Sequence, residues 1–572
     1  MARSLTTGLV ERARLLSFVF IIVALVLSAR LYFVQIVHGE KYERDARGQY
    51  VADVSDTEDR GSIFFTQRGG EHVAGALMQN GWRLAINPKE LSNPGEAYEM
   101  LSTVVPDRER FFSAAAKKDD PYEEVAFRLS DNAAKAVRAH NIPGVIFAQD
   151  QWRSYPGGSL AAHVLGFVGY QGERRVGVYG LERSYEKTLV KSSSGLYVNP
   201  FAEIFMSFGD AIATDPSEGY GSVATSLEPQ VQAQLEKTLE TVTKTYTPKF
   251  AGGIVMDPHT GEIVAMATRP AFDPNTYNTA DISVFGNPLV ENVYEMGSIM
   301  KPLTVAAGLD VGVITPKTTY EDRGCIEKSG KEICNYDKKA RGVVDIQKVL
   351  DQSLNLGASF VEGRTGHNVF REYVHAFGLG EKTGIDLPNE ATGLVKSLDR
   401  AYDVDFASAS FGQGIAVTSV AMIRALGALA NDGVLPAPHL ATGIKLESGL
   451  LRSIAVPQGP RVLKSETVQT VSDMLVKVFD TALLGGILKQ EHYSIAAKTG
   501  TAQIAQTQGG GYYDARYLHS FFGYFPAHDP KFIVFLIAVE PHGAEFASAT
   551  LARPFVDITK YLINYYDIPP DR

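Results

Sequence analysis

Residues 297–303 read GSIMKPL, and the rest of the chain can be placed by working outward from them. If a helix begins near Gly297, Ser298 and Lys301 share one face, three positions apart, and the lysine amine reaches the serine hydroxyl. An alcohol is a weak nucleophile and needs a base beside it. A lysine is such a base only where burial or a second cation depresses its pKa. The helix N-terminus also turns free backbone N–H groups toward the oxyanion of an acyl-transfer intermediate, and Pro302 is tolerated in a first turn. The stretch points to serine acyl transfer.

Two more short motifs follow it in order, Ser353-Leu354-Asn355 and Lys498-Thr499-Gly500-Thr501. Lys498 supplies the second cation that the first motif calls for. None of the three is specific alone, because the chain carries a second copy of each pattern at Ser184-Tyr185-Glu186-Lys187, Ser130-Asp131-Asn132 and Lys382-Thr383-Gly384. Setting separates them. Ser130 precedes a polar helix ending near His140 and reads as its N-cap. Ser184 lies in a charged stretch with nothing to bury its lysine. Lys382 follows the turn Phe377-Gly378-Leu379-Gly380. Lys498 instead sits in the small-residue extended run YSIAAKTGTAQ, where a substrate backbone can pair along the strand.

Around these motifs the pattern is α/β. Gly253–Asp257 and Glu262–Ala267 flank the turn residues Pro258-His259-Thr260-Gly261 and read as a hairpin. Helical runs follow at Leu303–Leu309 and Val420–Ala430. Strand signals return at Ile495–Gln503, Ser520–Phe525 and Phe532–Val539, before the helical ATLARPFVDITKYLINYY. Such a sheet needs helices on its faces. The region before Gly221 is more irregular, with a helix expected at Asp131–His140 and a strand at Val145–Ala148.

With 572 residues, the chain exceeds what one core serves. A formal net charge of −10 disfavours broad capture of nucleic acid. Leu15 to Val37 is long and apolar enough to cross a bilayer core of about 30 Å at about 1.5 Å per residue, with Arg30 snorkelling to the interface. Arg3, Arg12 and Arg14 precede it, so the N-terminus is expected in the cytoplasm and the bulk of the chain outside. A cut after Ala29 would put Leu27 where a signal peptide has a small residue, which favours an uncleaved anchor. Cys325 and Cys334 are the only cysteines. Outside the cytoplasm a disulfide is expected of them, two free thiols are the alternative, and a zinc site lacks neighbouring ligands. His163, His259 and His519 read as packing or surface residues.

The ordered trio resembles the signature of penicillin-binding proteins, and the likeness extends along the chain. It includes Arg60-Gly61-Ser62-Ile63-Phe64, Arg153-Ser154-Tyr155-Pro156, Ala162-His163-Val164-Leu165-Gly166, Gly180-Leu181-Glu182, Thr383–Pro388 and Phe411-Gly412-Gln413-Gly414. The chain is similar to class B penicillin-binding proteins, monofunctional peptidoglycan D,D-transpeptidases of the cell-division type. It departs from them in Ser-Leu-Asn, where a second serine is more usual, and in Arg68-Gly69-Gly70.

The resemblance implies a cytoplasmic tail and transmembrane anchor over 1–38, an elongated α+β pedestal over 39–220, and a transpeptidase domain over 221–572 whose sheet is flanked by helices. It implies Ser298 as nucleophile, Lys301 as its base, Ser353 as proton relay and Lys498 as electrostatic tuner. Asn355 would bind the donor amide, Thr499 and Thr501 the terminal carboxylate beside Gly500, and the N–H groups of Ser298 and Thr501 the oxyanion. No metal or cofactor is implied. The implied partners are stem peptides ending in D-Ala-D-Ala, an acceptor amine, β-lactams, and a membrane glycan polymerase with other division proteins; the implied place is the bacterial cytoplasmic membrane. Elongation or sporulation roles, a hydrolase in which water replaces the acceptor, and a non-catalytic scaffold or β-lactam sensor are the alternatives. Intact motif residues speak against the last.

Overall fold

A computed structural model describes residues 59–172, 174–191, 220–400, 402–506 and 511–572. The expected span Leu15–Val37 lies outside the described residues, and among them no helix is long and apolar enough to cross a membrane. Asp59–Arg572 forms one compact unit.

The sequence FIVFLIAV explains the centre of that unit. All eight residues of the strand Phe532–Val539 are buried. Ile533, Phe535, Ile537 and Val539 point into one core, while Phe532, Val534, Leu536 and Ala538 point into another, because successive side chains of a strand face opposite sides. A sheet apolar on both faces must be covered on both. On one side lie the helices Pro229–Tyr246 and Ala552–Tyr565, through Val231, Leu235, Leu239, Phe555 and Leu562. On the other lies a helical body that includes Lys301–Val311 and Ser419–Gly427. The final helix is shorter than its sequence run suggests: Ala547–Thr550 is a separate turn that ends before Ala552.

The sheet has five antiparallel strands in the order Ala496–Ala505, Tyr512–Phe525, Phe532–Val539, Phe250–Met256, Ile263–Arg269. The expected hairpin about Pro258–Gly261 is present at one edge. The strand carrying Lys498, Thr499, Gly500 and Thr501 is the other edge, paired only with Tyr512–Phe525.

A second sheet weaves together distant parts of the chain. Its order is Leu451–Ser453, Ala441–Leu446, Gly221–Thr225, Ile63–Thr66, His72–Ile86, Glu123–Leu129, with Val145–Ser154 also on His72–Ile86. Beside it, Glu182 is fully buried and receives Arg60 Nε at 2.7 Å and Arg153 Nε at 2.6 Å. The helix expected from Asp131 runs to Arg138, and Ser130 Oγ accepts the Ala133 N–H at its N-terminus.

Candidate active site

Ser298 does not open an α-helix directly. Gly297–Met300 is a 3₁₀ turn, and the α-helix starts at Lys301. The correction sharpens the geometry, since three residues per turn set positions i and i+3 directly above one another. Lys301 Nζ lies 2.9 Å from Ser298 Oγ. Its helix is buried almost all round, which is how a lysine comes to be 0% exposed.

From Lys301 the contacts lead to the second motif. Its Nζ donates to the Ser353 carbonyl at 2.5 Å and lies 3.1 Å from Ser353 Oγ. Lys498, 3% exposed, brings its Nζ to 3.1 Å from the same hydroxyl. Ser298, Lys301, Ser353 and Lys498 therefore form one hydrogen-bonded chain. Burial, and then the charge of Lys498, hold the Lys301 amine well below the usual lysine range. Burial pushes Lys498 down to about 8, against the opposing pull of the Asp351 carboxylate.

The remaining motif residues surround this chain. Asn355 opens the helix Asn355–Thr365, and its Nδ2 donates to the Cys334 carbonyl at 2.9 Å. Cys334 closes the hairpin of Cys325–Lys328 and Lys331–Cys334, and it is disulfide-bonded to Cys325. Thr499 and Thr501 are half-buried on the edge strand, and Thr501 Oγ1 accepts the Ala547 N–H at 3.1 Å. Gly500 permits the close approach of the strand to the turn that carries Ser298: a β-carbon there would stand 2.3 Å from Ser520 Oγ and 2.8 Å from the Met296 carbonyl. The Gly297 N–H is held by the Gly412 carbonyl at 3.1 Å.

The second Lys-Thr-Gly copy is occupied elsewhere. The N–H and hydroxyl of Thr383 and the N–H of Gly384 all donate to the Glu390 carboxylate, at 2.6, 2.7 and 3.1 Å. Lys498, not Lys382, meets Ser353.

Three features escape a reading of the motifs. Ser353 has φ +55°, a left-handed backbone uncommon for a non-glycine residue. Asp351, two residues earlier, bears on Lys498. Glu295, three residues before Ser298, accepts the Gly414 N–H at 3.1 Å through Oε1 and pairs with the Tyr512 hydroxyl, and burial raises its carboxyl above the usual range. Only the last had a signal in the sequence, an acid two positions before the turn that carries Ser298.

The family model described as "Penicillin binding protein transpeptidase domain" matches residues 251–559, and that of the "Penicillin-binding Protein dimerisation domain" matches 55–199. Stage V sporulation protein D of Bacillus subtilis is 30% identical over 94% of this chain and 82% of its own. The probable peptidoglycan D,D-transpeptidase FtsI of Caulobacter vibrioides is 29% identical over 85% of this chain and 76% of its own. The crystal structure of penicillin binding protein 3 from Mycobacterium tuberculosis in complex with aztreonam shares the fold, with a TM-score of 0.68, 24% identity, and coverage of 90% of this chain and 98% of that one.

Proposed function

The chain belongs to the penicillin-binding protein transpeptidases and is a peptidoglycan D,D-transpeptidase; from that premise we propose the residues that carry its reaction. Ser298 Oγ attacks the carbonyl carbon of the penultimate D-alanine, and Lys301, neutral because it is buried beside another cation, takes the hydroxyl proton. The tetrahedral oxyanion rests on the backbone N–H groups of Ser298 and Thr501. Ser353, in contact with both lysines, receives that proton from Lys301 as it gives its own to the departing nitrogen, so terminal D-alanine leaves and an ester to Ser298 remains. An amine of a second stem peptide then attacks that ester, forms the cross-link and returns the proton to Ser298.

Asn355 holds the donor amide, and Thr499 and Thr501 hold its carboxylate with Lys498 close by. The open edge of the strand Ala496–Ala505 lets the donor backbone lie alongside it. The observation that carries the assignment is the contact chain Ser298–Lys301–Ser353–Lys498.

Mass spectrometry after penicillin treatment is expected to find one adduct on the peptide containing Ser298, and none in Ser298→Ala; an adduct at Ser130 or Ser184 overturns the assignment. We further propose that residues 1–38 anchor the chain in the cytoplasmic membrane, that 39–220 serve as a pedestal for the catalytic region 221–572, and that it works at the septum beside a glycan polymerase. The likeness to stage V sporulation protein D supports a sporulation role as the alternative. Imaging of a tagged chain in dividing and sporulating cells separates the two.

A further inference from the structure

The helix Asn355–Thr365 begins without a cap of its own. Its N-cap residue is Leu354, whose side chain has no acceptor to offer the free N–H groups of the first turn. The acceptor comes from outside the helix. Asn335 Oδ1 takes the Leu356 N–H at 3.2 Å, and the residue just before it, Cys334, takes Asn355 Nδ2 on its carbonyl at 2.9 Å. One dipeptide therefore holds both the first turn of the helix and the side chain that opens it.

The hairpin that carries this dipeptide does not by itself place it. Among the described residues its strands Cys325–Lys328 and Lys331–Cys334 pair only with each other, and the disulfide joins them to one another, not to the helix. Ile333 packs into the core, which seats the hairpin but leaves the direction of the Cys334 carbonyl open. Asn335 closes that freedom. Its N–H donates to the Gly324 carbonyl at 2.9 Å, and its Nδ2 lies 2.9 Å from each oxygen of Asp322. Asp322 also accepts the Gly324 N–H at 3.0 Å and the Tyr320 hydroxyl at 2.9 Å. Asn335 and Asp322 are 2% and 1% exposed, so a bond lost here leaves a buried polar group unpaired.

The Cys334 carbonyl matters because a side-chain amide has two unlike ends. A carbonyl only accepts, so it selects the NH₂ end of Asn355 and turns the oxygen away. Nδ2 then keeps its second hydrogen for the carbonyl of the donor amide. With the Cys334 carbonyl displaced, the Asn355 amide is free to turn over and set an acceptor against an acceptor.

We infer that Asn335 is a positioning residue for the donor amide: it docks the Cys334 carbonyl on Asn355 and so fixes which end of the Asn355 amide meets the substrate. It touches no reacting atom. The inference rests on the role given above to Asn355, and its test separates the two.

Benzylpenicillin carries a side-chain amide where the donor peptide has the amide ahead of its penultimate D-alanine, whereas the bare penicillin nucleus has only an amine there. The ratio of their acylation rate constants, measured on the full chain, is the readout. Asn335→Ala is expected to lower that ratio about tenfold by slowing benzylpenicillin alone. A purely structural loss reduces both rates together and leaves the ratio in place. Asn335→Gln keeps both polar groups one methylene further out and stands in if the alanine variant does not fold. The exchange Asn335→Asp with Asp322→Asn retains an acceptor for Leu356 and a hydrogen bond between the two side chains, and is expected to restore the ratio. An unchanged ratio in a folded Asn335 variant overturns the inference, as does a further fall when Asn335→Ala is added to Asn355→Ala, because the effect must run through Asn355. An unchanged ratio in Asn355→Ala itself would instead defeat the role of Asn355, and the inference with it.

Discussion

Ser353 holds its contacts with Lys301 and Lys498 from a backbone that a residue with a β-carbon adopts at a cost of about 1–2 kcal/mol. The sharp reversal lets the helix Ile346–Asp351 end and Asn355–Thr365 begin within three residues, with Leu354 buried between them and its N–H on the Val349 carbonyl. Ser353→Gly and Ser353→Ala both remove the hydroxyl, so both are expected to lose most acylation. The glycine variant should be more stable than the alanine variant by about 1 kcal/mol in urea unfolding, because only the alanine keeps the strain. Equal stability would show that the reversal costs nothing. The motif Ser-Leu-Asn was legible as a string. Its backbone conformation was not, since nothing in three letters says that two helices must meet there. Nor was the approach of Lys498 to its hydroxyl, which only tertiary packing brings about.

At the scale of elements, the edge strand Ala496–Ala505 is secured from its paired side. His519 stands opposite Thr501, fully buried, with Nδ1 on Thr550 Oγ1 at 2.9 Å and Nε2 on the Glu545 carbonyl at 3.0 Å. His163 is held the same way, by Thr268 Oγ1 at 2.9 Å and the Val284 carbonyl at 2.8 Å. Burial lowers both imidazoles to about 4. An unfolded chain takes up these protons near pH 6.5 while the folded chain does not, so the stability they contribute is complete above pH 6.5 and declines from there toward pH 4. Urea unfolding at pH 5 is expected to show a loss of about 2 kcal/mol for each histidine relative to pH 7.5, and His519→Gln should remove its share of that slope. A pH-independent midpoint over this range would contradict it. Of the two readings offered for these histidines, packing or surface, both take the first. The strand order that sets one of them opposite Thr501 could not be seen, although the run FIVFLIAV did read as a strand.

Over the whole molecule, three sequence fragments that had only a family likeness turn out to be one structure. Arg60, Arg153 and Glu182 come from well-separated stretches and converge on a single buried carboxylate, where Tyr155 OH also reaches Oε1 at 3.3 Å and Arg60 Nη2 binds Glu186 at 2.7 Å. Removing one partner of such a cluster strands the others without solvent. Glu182→Gln is therefore expected to cost about 3–5 kcal/mol and to lower the melting temperature, while penicillin labelling per folded molecule stays at the wild-type level. A loss of labelling in the folded fraction would instead tie the cluster to catalysis.

The interleaving of Ile63–Thr66 beside Gly221–Thr225, itself beside Ala441–Leu446, limits how this lineage can exchange parts. A recombination that grafted a foreign N-terminal half onto this C-terminal half would have to reproduce the hydrogen-bonding register along that shared seam. Where it did not, the strand at Gly221 would be left with a bare flank open to other chains. Inheritance should therefore favour swaps of whole coding regions, or of short patches inside one sheet, over clean exchanges at the midpoint.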